Sequence, residues 1–89
     1  MPLEVAIVSP EEELYTGEAE FIRAKTVEGD IGILTGHIPL LAQLAPCEVK
    51  VRLPGGAEEV FRIDGGFMTV KEDKVIILAE DLGEGIDFD

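Results

Sequence analysis

The side chains that most often act as nucleophile, base or metal ligand are scarce in this chain: one serine, Ser9, one histidine, His37, and one cysteine, Cys47. Nucleophilic catalysis requires a hydroxyl or thiol next to a base and an orienting acid. A catalytic zinc requires three convergent ligands, and one histidine with one cysteine ten positions away would still need carboxylates to complete the set. The residue types therefore predict no catalytic site and no metal site.

Phosphate binding is also disfavoured. No glycine is followed by lysine, so the loop that cradles phosphates and ends in Gly-Lys-Ser/Thr is absent, and no GxGxxG opens a helix. Carboxylates are abundant, but glycosidic chemistry needs two of them at a set separation, which abundance does not show. We expect no nucleotide site and no cofactor. His37, in a Gly-His-Ile-Pro segment, is interpreted either as a partner contact or as a side chain that bonds the local backbone.

Length and charge narrow the class of protein further. The chain has 89 residues, a length typical of one domain. Its 19 acidic and 7 basic residues give a formal net charge of −12. This charge disfavours nucleic-acid binding and contact with anionic lipids, favours a monomer when the chain is free, and points to basic or polar partner surfaces. The apolar runs are far shorter than a membrane span and no leader pattern is visible, so we expect a cytoplasmic protein without direct membrane insertion.

Alternating apolar residues indicate strands along most of the chain, beginning with Leu3, Val5 and Ile7. Turn residues separate them, including Pro54-Gly55-Gly56, Asp64-Gly65-Gly66 and Glu72-Asp73. No window shows sustained helical periodicity. The pattern predicts an all-β fold, a flattened β-sandwich of roughly 8 to 10 short, mostly antiparallel strands with no long helix, and leaves the strand order open. The apolar run 74–79 is expected in the middle of the sandwich, with a domain over 1–82 and an acidic tail over 83–89.

Two segments carry a resemblance to a known family. These are EGDIGILTGHIPLL followed by LAP, and DGGFMTVKEDKVIILAE, in that order and spacing. They resemble the N-terminal β-sandwich of the epsilon subunit of rotary ATP synthases, and the opening LEVAIVSPEEELYTGEAE fits its first strands. The resemblance covers Leu3 to about Asp81. Thr35 stands where the family often has proline, and Cys47 where glycine is common.

The resemblance implies a non-catalytic rotor component of the central stalk. Such a component binds the gamma subunit of the shaft and rests on the polar loops of the membrane ring of c subunits, peripheral to the cytoplasmic face of the cell membrane. By matching positions, Glu28 and Asp30 are expected to face the c-ring, and Ser9 and His37 to face gamma. A carboxylate in a glycine-rich loop is suited to accept hydrogen bonds from basic or amide groups of a partner.

Many members of that family continue into a two-helix C-terminal domain that inhibits ATP hydrolysis and can bind ATP. Nothing after Glu80 has helical periodicity, so we expect neither inhibition by helix extension nor a nucleotide site.

A carrier domain of the lipoyl or biotinyl kind is the alternative interpretation. Such domains are acidic all-β units that present one lysine at a hairpin tip, and Lys74, after Glu72-Asp73, is the candidate. Carriers show two similar halves, however, and the Gly-His-Ile-Pro segment has no counterpart in the second half of this chain.

Overall fold

The computed structural model describes residues 2–80, which form seven β-strands joined by turns and short loops. No helix occurs in this part of the chain. The strands are β1 Leu3–Val8, β2 Glu13–Ala19, β3 Phe21–Thr26, β4 Gly29–Ile33, β5 Leu40–Arg52, β6 Glu58–Lys71 and β7 Lys74–Ala79. The all-β prediction is confirmed. The proposed tail over 83–89 lies outside the described residues.

All strands join in one hydrogen-bonded order, β2-β1-β7-β6-β5-β3-β4. Five neighbouring pairs are antiparallel, as predicted, and β1 with β7 is the parallel pair. The first and last strands thus lie side by side although most of the chain separates them. The prediction of mostly antiparallel strands is confirmed, and the strand order is what the sequence had left open.

The fold has fewer strands than the sequence suggested because β5 and β6, with 13 and 14 residues, are long. They pair in continuous register from Leu40 opposite Val70 to Arg52 opposite Glu58. Their buried face changes along the ribbon: Met68 and Val70 are buried near one end, and Ile63 and Val49 near the other. The change occurs at Gly65–Gly66, where both glycines have positive φ. This lets one ribbon contribute to both layers of the sandwich.

The two layers enclose a purely apolar core. Alternating positions of β1, β3 and β7 point into it, and no polar or charged residue is buried among residues 2–80. The largest fully buried side chains are Leu3, Ile7, Ile22, Ile33, Leu44, Ile63, Met68, Ile77, Val49, Val51, Val70 and Val75. Because every inward position is aliphatic or methionine, burial of apolar surface is what holds the layers together.

Tyr15 links strands that are distant in the sheet. It lies on β2, at one edge, yet its ring packs against Phe61 of β6 with 5.6 Å between centroids. Its hydroxyl donates to the carbonyl oxygen of Glu18 at 3.0 Å. A contact between the edge strand and the far end of the β5–β6 ribbon requires the sheet to fold over itself, as a sandwich does.

Tyr15 also provides a test of this packing. Burial, and then the charges of Glu59 and Glu18, raise its pKa above the usual value of about 10. Because the folded state then holds the phenol proton more tightly than the unfolded state, we expect stability to fall as the pH rises above about 10. Tyr15 is the single tyrosine, so the ultraviolet absorbance of the phenolate follows this residue alone. A midpoint at or below that of a model peptide would contradict the packing, and Glu59→Gln should lower the midpoint.

The final strand β7 is internal to the sheet, between β1 and β6, as expected of an apolar run. It is buried on one face only, however. Val75, Ile77 and Ala79 point inward, whereas Ile76 and Leu78 are about half exposed on the outer face of the sheet. One layer of a two-layer sandwich always has an outer face, so apolar residues at consecutive positions cannot all be inside.

Candidate functional site

Glu28 and Asp30, expected in a glycine-rich loop, lie on the hairpin of β3 and β4. β3 and β4 pair from Ile22 opposite Ile33 to Thr26 opposite Gly29, which leaves Val27 and Glu28 as the turn. The Thr26 hydroxyl donates to the Gly29 carbonyl oxygen at 2.8 Å and accepts from the Glu28 amide at 3.0 Å. These bonds, and Gly29 with its positive φ, set the shape of the turn.

The two acids face different surroundings. Glu28, in the turn, borders a groove of about 330 Å³ between the hairpin and the start of β5, whose lining includes Val27, Ile31 and Leu41. Its carboxylate has no hydrogen-bond or ion-pair partner among residues 2–80. An exposed carboxylate beside an apolar groove is suited to a partner that combines an apolar contact with a donor group.

Asp30 is on the other side of the hairpin. It sits in a hollow with basic side chains of β3 and β5, including Lys25, which is its cross-strand partner, and Arg23. Cys47 borders the same hollow and is half-buried, with its sulfur 3.8 Å from the Lys25 carbonyl oxygen. Asp30 is therefore an acid set among cations on an exposed surface, and its contribution to folding is small because solvent screens such pairs.

His37 lies in the connection from β4 to β5. Leu34–His37 forms a β-turn in which the His37 amide donates to the Leu34 carbonyl oxygen at 3.2 Å, and Gly36 has a φ of +85°, as a type II turn requires at this position. The His37 Nδ1 is 2.7 Å from the Ile38 carbonyl oxygen. That contact requires a hydrogen on Nδ1, so Nε2 is left to meet a partner. The two interpretations of His37 are therefore compatible, because Nδ1 can bond the local backbone while Nε2 contacts a partner.

The Ser9 hydroxyl forms its hydrogen bonds within its own turn. Its Oγ accepts from the amides of Glu11 at 3.3 Å and Glu12 at 3.1 Å and donates to the Glu12 carbonyl oxygen at 3.1 Å. One hydroxyl offers one donor and two acceptor positions, and all three are used here. Ser9 therefore shapes the acidic connection between β1 and β2, and any effect on a partner would act through that shape.

Ser9 and His37 are not neighbours in the fold. Ser9 follows the last residue of β1, whereas Gly36, next to His37, is bonded to Asp73, whose carbonyl oxygen accepts from the amide of Glu4 near the start of β1. At about 3.3 Å per residue, Glu4 and Ser9 are separated by roughly 16 Å along the strand. A single partner that touches both must cover much of one side of the sandwich.

Exposed aliphatic side chains in the segment that contains His37 were not singled out from the sequence. Ile38 is 73% exposed and Leu41 is 70% exposed, and Val27 and Leu34 are also more than half exposed. We call these four residues, three in the loops on either side of β4 and Leu41 at the start of β5, the apolar loop surface. The signal was visible as apolar residues in a segment broken by Gly36 and Pro39, but only the structure shows that they stay uncovered.

Other kinds of site find no support in the described residues. Within residues 2–80, no three histidine, cysteine or acidic side chains are grouped as a metal site would require. No helix in that range is long and apolar enough to cross a membrane.

Comparison with known proteins identifies a family. The ATP synthase, Delta/Epsilon chain, beta-sandwich domain matches residues 2–84. The ATP synthase epsilon chain of Frankia casuarinae is 49% identical over 80 residues, which are 90% of this chain and 94% of that protein. That of Thermobifida fusca is 53% identical, with 93% of this chain and 64% of that protein aligned. That of Chromohalobacter salexigens is 46% identical and is covered to 59% of its length, so the chain spans about three-fifths of such longer relatives.

Solved structures agree with the sequence relatives. A chain in the mitochondrial ATP synthase of Euglena gracilis, described as OSCP/F1/c-ring in rotational state 1, matches 97% of this chain and 56% of its own length with a TM-score of 0.85 and 30% identity. A chain of the central stalk and c-ring of the Tetrahymena thermophila mitochondrial ATP synthase shares the fold, with a TM-score of 0.78 and 23% identity. The chain therefore belongs to the family of the ATP synthase delta and epsilon chain β-sandwich domains, a non-catalytic part of that enzyme.

Proposed function

We propose that this chain is a central-stalk rotor subunit of a proton-translocating rotary ATP synthase, which links the gamma shaft to the membrane c-ring on the cytoplasmic face of the cell membrane. It performs no chemistry. It supports the coupling of proton flow to ATP synthesis by remaining attached to both partners as they turn. Family membership and the epsilon chains among its relatives support this assignment.

One observation carries the proposal. The segment 27–41 holds Glu28, Asp30 and His37 and also the whole apolar loop surface. Uncovered aliphatic side chains next to unpaired polar groups are typical of an interface, because water would otherwise be ordered against them. The segment is therefore suited to stable contacts in a larger assembly.

On the gamma-facing side we place His37 and the Ser9 turn. His37 offers Nε2 to a donor of gamma while Ile38 beside it supplies an apolar contact. Ser9 contributes by holding the Glu11–Glu12 backbone, not through a free hydroxyl. On the c-ring-facing side, Glu28 and Asp30 accept hydrogen bonds from basic or amide groups of the ring's polar loops.

Binding of the chain to purified gamma subunit tests the proposal. We expect a one-to-one complex whose Kd rises by about five- to tenfold in His37→Ala, the loss typical of one central polar contact. Ser9→Ala should give a smaller rise. Thr16→Ala, at an exposed position on β2, is the matched control and should bind as the unchanged chain does. Failure to bind a cognate gamma subunit would overturn the assignment to the rotor.

The carrier alternative loses its basis in this structure. Lys74 is the first residue of β7, paired across the sheet with Lys71 and with Glu4, and the tip of the hairpin is Glu72–Asp73. A carrier lysine must reach out from the tip itself. The family match over residues 2–84 also favours the rotor subunit.

A further inference from the structure

The turn between β6 and β7 has a backbone conformation that glycine adopts more readily than other residues do. Lys71 and Lys74 pair across the hairpin, which leaves a two-residue turn, and both of its residues have positive φ, +54° for Glu72 and +62° for Asp73. This is the geometry of a type I′ turn, in which glycine is the most comfortable second residue. Aspartate at this position therefore needs a reason other than the turn itself.

The Asp73 side chain supplies that reason. Its Oδ1 accepts a hydrogen bond from the Gly36 amide at 2.8 Å, across 37 residues of sequence. Its carbonyl oxygen accepts from the Glu4 amide at 2.9 Å, so the carboxylate is held from a fixed point on the sheet. A hydrogen bond to an ionised carboxylate is stronger than one between neutral groups.

This is the one side-chain hydrogen bond that reaches residues 34–39 from elsewhere in the described chain. Gly36 is the third residue of the turn that ends at His37, and its amide would otherwise face water. The bond therefore fixes the orientation of a turn whose next two residues, His37 and Ile38, are on the proposed gamma-facing side. A turn without such an anchor samples more conformations and binds more weakly, because the partner must order it.

We infer that Asp73 is a positioning residue for partner binding: it touches no partner itself but holds the Leu34–His37 turn in the conformation that presents His37 and Ile38. The expected consequence, tighter binding to the gamma subunit, rests on the proposed function. The anchoring itself is a property of the isolated chain.

Asp73→Gly isolates the carboxylate, since glycine tolerates positive φ and the hairpin turn is kept. In the free variant we expect the Gly36 amide hydrogen to exchange about tenfold faster than in the unchanged chain. The midpoint of urea unfolding should be unchanged or higher. The Kd for gamma should rise about fivefold. Asp73→Asn keeps an acceptor oxygen and should restore binding to within about twofold. Glu72→Gly, in the same turn, is the matched control and should change neither quantity.

A double substitution separates positioning from general loosening. If Asp73 acts through the His37 turn, Asp73→Gly should weaken gamma binding much less in a His37→Ala background than alone. Unchanged exchange at Gly36 in Asp73→Gly would overturn the inference, and so would fully additive losses. Absence of gamma binding by the unchanged chain would instead contradict the proposed function, and the exchange measurement would still decide whether Asp73 anchors the turn.

Discussion

Gly66→Ala is expected to destabilise the domain by about 3 kcal/mol or more, a large part of the stability of a protein of this size. Gly66 lies where β6 passes from one layer to the other, with a φ of +147°. A Cβ there would overlap the Leu78 carbonyl oxygen and lie 3.0 Å from the Ala79 Cα, both of β7 backbone. Because Gly66 pairs with Ala79 in the sheet, β7 cannot move away without loss of its hydrogen bonds to β6.

Urea unfolding followed by far-ultraviolet circular dichroism measures this loss. Gly29→Ala is the matched control: its φ is similarly positive, +137°, but nothing lies within 4 Å of the added Cβ. We expect it to cost about 1 kcal/mol, from backbone strain alone. Equal losses in the two variants would show that the close approach of β6 to β7 does not constrain the fold.

Asp30→Lys is expected to reduce coupling in the assembled enzyme while the isolated domain stays folded. The exposed position has no ion-pair partner among residues 2–80, so the substitution removes little from folding, although it adds a cation near Lys25 and Arg23. At a contact with basic groups of the ring's loops, the reversed charge repels instead of attracting. Loss of one contact worth ~1 kcal/mol weakens binding to the ring about fivefold. We expect ATP-driven proton pumping to fall by a similar factor, with ATP hydrolysis retained.

Proton pumping in membrane vesicles that carry the complex tests this expectation, with ATP hydrolysis measured in the same sample. Glu18→Lys changes the net charge by the same amount but lies at an exposed position on β2, outside both proposed contact surfaces, so it serves as the control and should pump normally. Pumping by the Asp30→Lys complex at the rate of the unchanged complex would remove Asp30 from the ring interface. A loss in both variants would attribute the effect to total charge.

Much of the local structure was readable from residue order because it depends on neighbours. Alternation such as Leu3, Val5 and Ile7 marks a face, and Glu72-Asp73 marks a turn, since both follow from the two-residue period of a strand and from turn chemistry. The all-β class and the turns at Pro54-Gly55-Gly56 and Glu72-Asp73 were therefore predictable. The composition likewise determined the strongly negative charge and the shortage of catalytic side chains.

Tertiary structure decided what depends on residues far apart in the chain. The parallel pairing of β1 with β7, the change of buried face at Gly65–Gly66, and the bond from Gly36 to Asp73 each join segments whose partners no local pattern names. For the same reason Ser9 and His37, which the family resemblance placed on one side, proved to be near opposite ends of β1. The periodicity of apolar residues shows which face of a strand is buried. Which other strand it pairs with depends on the packing of the whole core.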